Sequence, residues 1–264
     1  MARIVRIALG LLVAAIGLAG CGRPGTGLTM AGSTAFQSFA EKLAEQFMAK
    51  TPGVNVTVQG GGSAMGIQSA LSGTAQIGMA DMVTLPDEAK ALTSIVVARD
   101  GIAIIVNPGN SVGDLTTDQI RGIFNGAVRN WKDVGGKDSP ITVVSREAGS
   151  GTRSSFEQIV KNVALSKDAL IQDSNGTIRE TVANDANAIG YLSHGLVNEK
   201  VKAVKVDGAA CTTEDIASAR YALVRPIFLL TKGAPAGAAK DLIDYILSPE
   251  GQKTIHDLGL IPAK

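Results

Sequence analysis

Ile141-Thr142-Val143-Val144 runs into Ser145-Arg146-Glu147-Ala148-Gly149-Ser150-Gly151-Thr152-Arg153, and Phe156, Ile159, Val160 and Val163 then follow at helical spacing. This reads as a strand, a turn and the opening of a helix. The glycines let the backbone approach a guest closely, and Ser150 and Thr152 sit where the helix opens. Its first N–H groups lack intrahelical partners and carry the positive end of the dipole, so the natural guest is a small oxyanion. A bare turn and cap would produce the same letters.

The arrangement occurs three times. Leu28-Thr29-Met30-Ala31-Gly32 leads to Ser33-Thr34 and then to Phe36, Phe39, Ala40, Leu43, Ala44 and Phe47 at helical spacing. Val54-Asn55-Val56-Thr57-Val58 leads to Gly60-Gly61-Gly62-Ser63 and a helix over 64–71. One such turn is ordinary capping. Three that converge would form a cage of neutral donors around one anion.

Arg3 and Arg6 precede an apolar stretch, 7–19, that ends in Leu18-Ala19-Gly20-Cys21. Residues 1–20 read as a secretory signal, too short for a membrane span. Its end resembles a bacterial lipobox, which implies lipidation of Cys21, a tether over 21–26, and a chain held outside the cytoplasm, in the periplasm or at the cell surface, by its N-terminal lipid alone. Taking Arg3 and Arg6 from the 25 basic residues leaves them one short of the 24 acidic ones. Nothing there points to nucleic acid, and an anion site must be built from local dipoles and a few charges. With Cys21 lipidated, Cys211 is the one free thiol, which excludes an intramolecular disulfide and a thiolate zinc site. Beside Ala209-Ala210 it reads as a half-buried packing residue.

Strand-like and helical runs alternate throughout, the pattern of an α/β fold with sheets covered on both faces. Two apolar runs are long for strands: 95–106, interrupted by Ala98-Arg99-Asp100-Gly101, and 221–230, interrupted by Arg225-Pro226. Read as crossovers, they divide the chain into lobe one, 27–102 plus 226–264, and lobe two, 103–225. Thr116 or Thr117 can cap a short helix ending near Asn125-Gly126, and Ser248-Pro249-Glu250 opens another, after one with Leu242, Tyr245 and Ile246 on one face.

With these residues in hand, the chain resembles the phosphate-specific substrate-binding proteins of bacterial ABC importers. The resemblance rests on Ala31-Gly32-Ser33-Thr34, Gly62-Ser63-Ala64-Met65-Gly66, Ile77-Gly78-Met79-Ala80-Asp81, Asp118-Gln119-Ile120 through Asn130-Trp131-Lys132-Asp133-Val134-Gly135-Gly136, Arg146 with Gly149-Ser150-Gly151-Thr152, and Ile189-Gly190-Tyr191. It implies a two-lobed, type II periplasmic-binding-protein fold that closes over inorganic phosphate and delivers it, as a monomer without cofactor, to the transmembrane subunits of an ABC permease. Thr34 and the N–H of Ala35 match the family's first ligand turn, Ser63 the second, and Ser150, Gly151 and Thr152 the third. Asp81 matches its acceptor carboxylate, Arg146 its charge partner, and Ser33 is an extra donor. In one branch of the family an acid stands two residues after the arginine, where this chain has Ala148, which predicts an arginine free of that brake. In another, Ser-Arg replaces Asp81-Met82, so a positive charge is expected to be missing here.

The chemistry agrees with that resemblance. Arg146 can make a bidentate, charge-assisted contact to an oxyanion. A carboxylate can only accept, so Asp81 suits a guest that still carries a proton, as phosphate does near neutral pH and sulfate does not; the bland alternative is a turn residue before Leu85-Pro86-Asp87. Trp131 reads as core or lobe surface, and Arg153 as a residue that points outward to pair with an acid. His194 and His256 are isolated, so no metal is expected. The sequons at Asn55 and Asn175 read as chance. Met65 breaks the nucleophile-elbow pattern and Asp138 breaks a P-loop after Gly136-Lys137, which argues against an enzyme. The rival readings are a binder of another oxyanion, a sensor or surface protein, and a phosphate-ester hydrolase.

Overall fold

The computed structural model describes residues 26–263. The signal segment 1–20, the lipidation site Cys21 and the tether up to residue 25 lie outside them. β1 (Thr26–Gly32), α1 (Gln37–Lys50), β2 (Val54–Gly60), α2 (Ser63–Ser72) and β3 (Ile77–Ala80) come first, followed by the long strand β4 (Thr93–Val106). Then come β5 (Asp114–Leu115), α3 (Thr117–Phe124), β6 (Thr142–Arg146), α4 (Gly151–Val160), β7 (Leu170–Gln172), α5 (Asn175–Asn184) and β8 (Ala188–Ser193). The short β9 (Lys202–Ala203) and β10 (Lys205–Val206) precede α6 (Thr213–Ala217), and the chain closes with β11 (Val224–Thr231), α7 (Gly237–Leu247), α8 (Pro249–Asp257) and β12 (Ile261–Pro262).

The main sheet has the order β2-β1-β3-β11-β4-β8-β6-β7. β1, β2 and β3 run parallel, as do β6, β7 and β8, and antiparallel β11 and β4 join the two groups. Two buried clusters lie on either side of that junction. The first gathers Met30, Phe39, Leu43, Ile77, Val97, Ile227, Leu229, Leu242 and Ile246. The second gathers residues 102–106, Phe124, Trp131, Val144, Phe156, Tyr191 and Leu223, with Ile261 returning to it from the C-terminus. We call the parts packed on them the first and second lobes. β4 and β11 pass from one to the other, changing cluster between Ala98 and Ile102 and between Leu223 and Ile227.

The polar residues expected to interrupt these two strands do not. β4 runs unbroken through Arg99-Asp100-Gly101, and Arg225-Pro226 lies within β11. Arg225 is the register partner of Asp100, and the two form an ion pair across the strands, so each charge is compensated where it is buried. Pro226 has no N–H to give, but β11 meets β3 only from Phe228 onward, which leaves that side of the strand without a ladder at Pro226.

Local signals account for the helices that position the cleft. Thr116 caps α3 in a capping box with Gln119, and Ser248 caps α8. α4 stops at Val160, short of Val163, because Lys161 and Asn162 take positive φ. Gly66 is needed on α2, since a Cβ there would stand 2.5 Å from Met79 O and 2.9 Å from Gly32 Cα. Its absence lets α2 lie directly on β1 and β3.

Candidate functional site

The three predicted turns stand at the carboxyl ends of parallel strands, the usual mouth of an open α/β sheet. The first follows β1. Ser33 N–H donates to Met79 O, and Ser33 Oγ accepts from the N–H groups of Ala35 and Phe36 at 3.2 Å, so α1 starts at Gln37 after a tight turn. The second hangs from the first, because the N–H groups of Gly61 and Gly62 both donate to Gly32 O. The third follows β6 on the opposite lobe. It is docked across the cleft by Ala64 N–H donating to Gly149 O at 3.1 Å.

Asp81, just past β3, is the meeting point. Its Oδ1 accepts from Ser63 Oγ at 2.5 Å, its Oδ2 accepts from Thr152 Oγ1 at 2.9 Å, and Arg225 Nη1 stands 2.6 Å from Oδ2. Ser63 Oγ also takes the Asp81 N–H, and Ser155 Oγ donates to Asp81 O. Asp81 is thus not a surface turn residue, and three of its acceptor positions are already filled. It is a buried carboxylate held by hydroxyls from both lobes and by an arginine from the crossing strand.

Arg225 is also where the positive charge expected to be missing here is found: it comes from β11 instead of from the position after Asp81. Its Nε and Nη2 hold Asp100 Oδ2 at 3.2 and 2.8 Å, while Ser193 Oγ donates to Asp100 Oδ1 at 2.9 Å. Burial pushes the Asp100 carboxyl upward, opposed by the guanidinium and by the Ser193 hydroxyl. Ser193 N–H donates to Asn175 Oδ1, and Asn175 Nδ2 donates to Thr34 Oγ1 at 3.1 Å. One polar chain therefore runs from Asp81 through the crossover strands and back to the first turn. Because Thr34 accepts from Asn175, its own hydrogen is left to point at a guest.

Arg146 is fully buried at the end of β6, and its neighbour Glu147 is the brake expected to be lost with Ala148. Glu147 accepts from Arg146 Nε and Nη2 at 2.8 Å each, and Asp173 O accepts from Nη2 at 3.1 Å. That occupies one edge of the guanidinium, so the bidentate contact expected from sequence is not on offer. Nη1 remains: a buried donor with no partner. Among the described residues two other buried side-chain atoms share that status, Arg179 Nε and His194 Nδ1, but only Arg146 is itself wholly buried. Such a group is costly unless something fills its hydrogen bonds. Below it, Tyr191 stacks on Phe156 at 4.4 Å, shares a 2.7 Å hydrogen bond with Ser145, and is pushed by burial up to about 12, which keeps it neutral.

The structure thus brings Ser63, Asp81, Gly151 and Thr152 into one knot, with Thr34 reached through the polar chain. Ser150 Oγ accepts the N–H of Arg153 as the α4 cap, which leaves its own hydrogen to donate, and the first-turn N–H groups of Gly151 and Thr152 open that helix without intrahelical partners. Arg153 pairs with Glu157, as expected from sequence, and also donates to Arg146 O. Cys211 is buried rather than half-buried, which pushes its thiol upward. Sequence reasoning missed Arg225, Asp100, Glu147 and Asn175. For Arg225 and Asp100 the signal available was charge inside long apolar runs, which reads as an interruption until its partner is known.

Gly151 sits against this knot, and a Cβ there would overlap Ser63 Oγ and come within 2.6 Å of Asp81 Oδ1. Overpacking of that kind costs about 1–3 kcal/mol, roughly 5- to 150-fold in affinity. Gly151→Ala is expected to keep both lobes folded and to prop the cleft apart. Small-angle scattering checks it: the wild type should contract on adding phosphate, and the variant should not.

The PBP superfamily domain model matches residues 20–250, and the two-lobed α/β architecture with its interlobe cleft is that of this class of binding protein. A phosphate-binding protein PstS from Bacillus subtilis is 38% identical over 240 residues, 89% of this chain and 80% of the relative. A Clostridium perfringens chain described as a phosphate ABC transporter substrate-binding protein, with phosphate bound, superposes with a TM-score of 0.87 at 40% identity, covering 90% of this chain and all of that one. An ABC-type phosphate transport receptor from Vibrio cholerae gives 0.74 at 37%, covering 89% and 99%. The chain belongs to the PstS phosphate-binding protein family.

Proposed function

We propose that this protein binds inorganic phosphate between its lobes and delivers it to an ABC permease. The observation that carries this reading is Arg146 Nη1, a guanidinium nitrogen of a fully buried side chain that has no hydrogen-bond partner. The ligand set is Ser33, Thr34, Ala35, Ser63, Asp81, Arg146, Ser150, Gly151 and Thr152. Lobes over 27–102 plus 226–264 and over 103–225 would close around it, a division supported by the change of buried cluster along β4 and β11. The cage is built of neutral donors and compensated charges, not of a nucleophile set against a base, which supports binding without turnover. Titration calorimetry with phosphate, sulfate, molybdate and tungstate tests the reading. Saturable phosphate binding with little sulfate binding is expected, and absence of phosphate binding overturns it.

The protein would work outside the cytoplasmic membrane as a monomer, held by a lipid on Cys21. No described helix is long and apolar enough to cross a membrane, so attachment would depend on that anchor. Cys21→Ser is expected to release a folded protein from the membrane fraction, and Cys211→Ser to leave location and binding nearly unchanged. Cell fractionation checks both.

A further inference from the structure

Asn175 is the first residue of α5, on the second lobe, and its side chain is buried and tied at both ends. Oδ1 accepts the Ser193 N–H at 3.0 Å. Because that backbone group can only donate, the amide nitrogen must face the other way, where Nδ2 donates to Thr34 Oγ1 at 3.1 Å. The N–H of Asn175, one of the helix-opening groups that lack an intrahelical partner, donates to the same oxygen at 3.4 Å. Thr34 precedes Phe36 of the first buried cluster, whereas α5 packs through Ile178 on the second, so both contacts cross the cleft. A hydroxyl has two acceptor positions and one hydrogen. With two donors from α5 on its oxygen, Thr34 has only its hydrogen left to give, and that hydrogen cannot point back at α5. The far end of the arm is firm: Ser193 ends β8, lies opposite Ile102 in β4 and donates through its own hydroxyl to Asp100.

We propose that Asn175 is a positioning residue for phosphate: reaching across the cleft from the second lobe, it fixes the Thr34 hydroxyl as a donor to the bound anion without donating to the anion itself. This rests on the phosphate reading above. While the lobes are apart, the Thr34 side chain turns among its staggered positions and its hydroxyl exchanges partners with water. When they meet, the two donors from α5 leave it one role. Closure thus completes the ordering of a ligand group on the opposite lobe, and a donor already ordered costs the ligand less to engage.

A double-mutant cycle read by calorimetric titration with phosphate tests this. Asn175→Ala should weaken phosphate binding by about tenfold, within the roughly 2- to 150-fold couplings found between residues of one hydrogen-bonded network. In a Thr34→Val background, which keeps the shape and removes the hydroxyl, the same substitution should change the affinity by less than about twofold. Asn175→Asp keeps the acceptor for Ser193 but replaces the amide donor with an oxygen, which takes the Thr34 hydrogen for itself. It should cost more in the wild type than in Thr34→Val, where only its added charge opposes the anion. That variant separates aiming the hydroxyl from bracing β8, because the brace survives in it, and it carries the comparison even where Asn175→Ala fails to fold. A wild type that binds no phosphate overturns the functional reading and this one with it. A wild type that binds, with Asn175→Ala or Asn175→Asp costing the same in both backgrounds, overturns this inference alone: Asn175 then only braces the fold or meets the anion directly.

Discussion

Arg146→Ala is expected to weaken phosphate binding by two orders of magnitude or more while leaving the fold intact. Truncating one member of a buried, hydrogen-bonded charge pair costs on the order of 2–5 kcal/mol, roughly 30- to 5,000-fold. The upper part of that range applies here for two reasons. The substitution removes the single buried nitrogen that lacks a protein partner at the cleft, and it strands Glu147, whose carboxylate accepts two hydrogen bonds from Arg146. A ligand would then meet Asp81 and Glu147 with no positive charge on that side. Arg146→Lys separates charge from geometry, since an ammonium cannot span Glu147, Asp173 O and the cage as the planar fork does. It should recover only part of the loss. Calorimetric affinities, with thermal unfolding in the absence of phosphate, decide the matter: wild-type affinity in a folded Arg146→Ala protein would move the site elsewhere.

Asp81→Asn is expected to open the site to sulfate. An ionised carboxylate offers about four acceptor positions, and Ser63, Thr152 and Arg225 fill three of them. The fourth suits an O–H on the guest. Sites that hydrogen-bond a ligand hydroxyl can reject an analogue lacking it by about 10⁴-fold, so the wild type should bind phosphate and hardly bind sulfate. In the variant the amide nitrogen donates to a neighbouring hydroxyl oxygen and turns that hydrogen toward the ligand. A site short of acceptors becomes one rich in donors. The variant should therefore gain sulfate while keeping part of its phosphate affinity, and it should unfold at a lower temperature because Arg225 loses a charged partner. Competition titrations check this. If Asp81→Asn rejects sulfate as strongly as the wild type, Asp81 only shapes the turn.

The two substitutions differ in how far the sequence could foresee them. The strand, glycine turn and helix start around Gly149-Ser150-Gly151-Thr152 are local: backbone entropy, capping and helical spacing act within about ten residues, and the letters show all three. The same holds for the turns after β1 and β2, and the long apolar runs that become β4 and β11 were legible as strands. What the letters could not give was partnership. Arg225 is 144 residues from Asp81 and 125 from Asp100, and no spacing rule reaches that far. The tertiary fold decides that the polar residues in two strands are one compensated pair rather than two interruptions.

Arg146 makes the same point at close range. Its side chain next to Glu147 looks free in sequence, since successive residues in a strand point to opposite faces. At the end of β6, however, the chain turns, and Glu147 folds back to hold one edge of the guanidinium. The sequence by itself determined where helices open toward a guest, because that depends on a few consecutive backbone units and their caps. Only the tertiary structure decided which charges reach the guest and which cancel among themselves, because charge interactions act through space across strands far apart in the chain and depend on burial that no single segment carries.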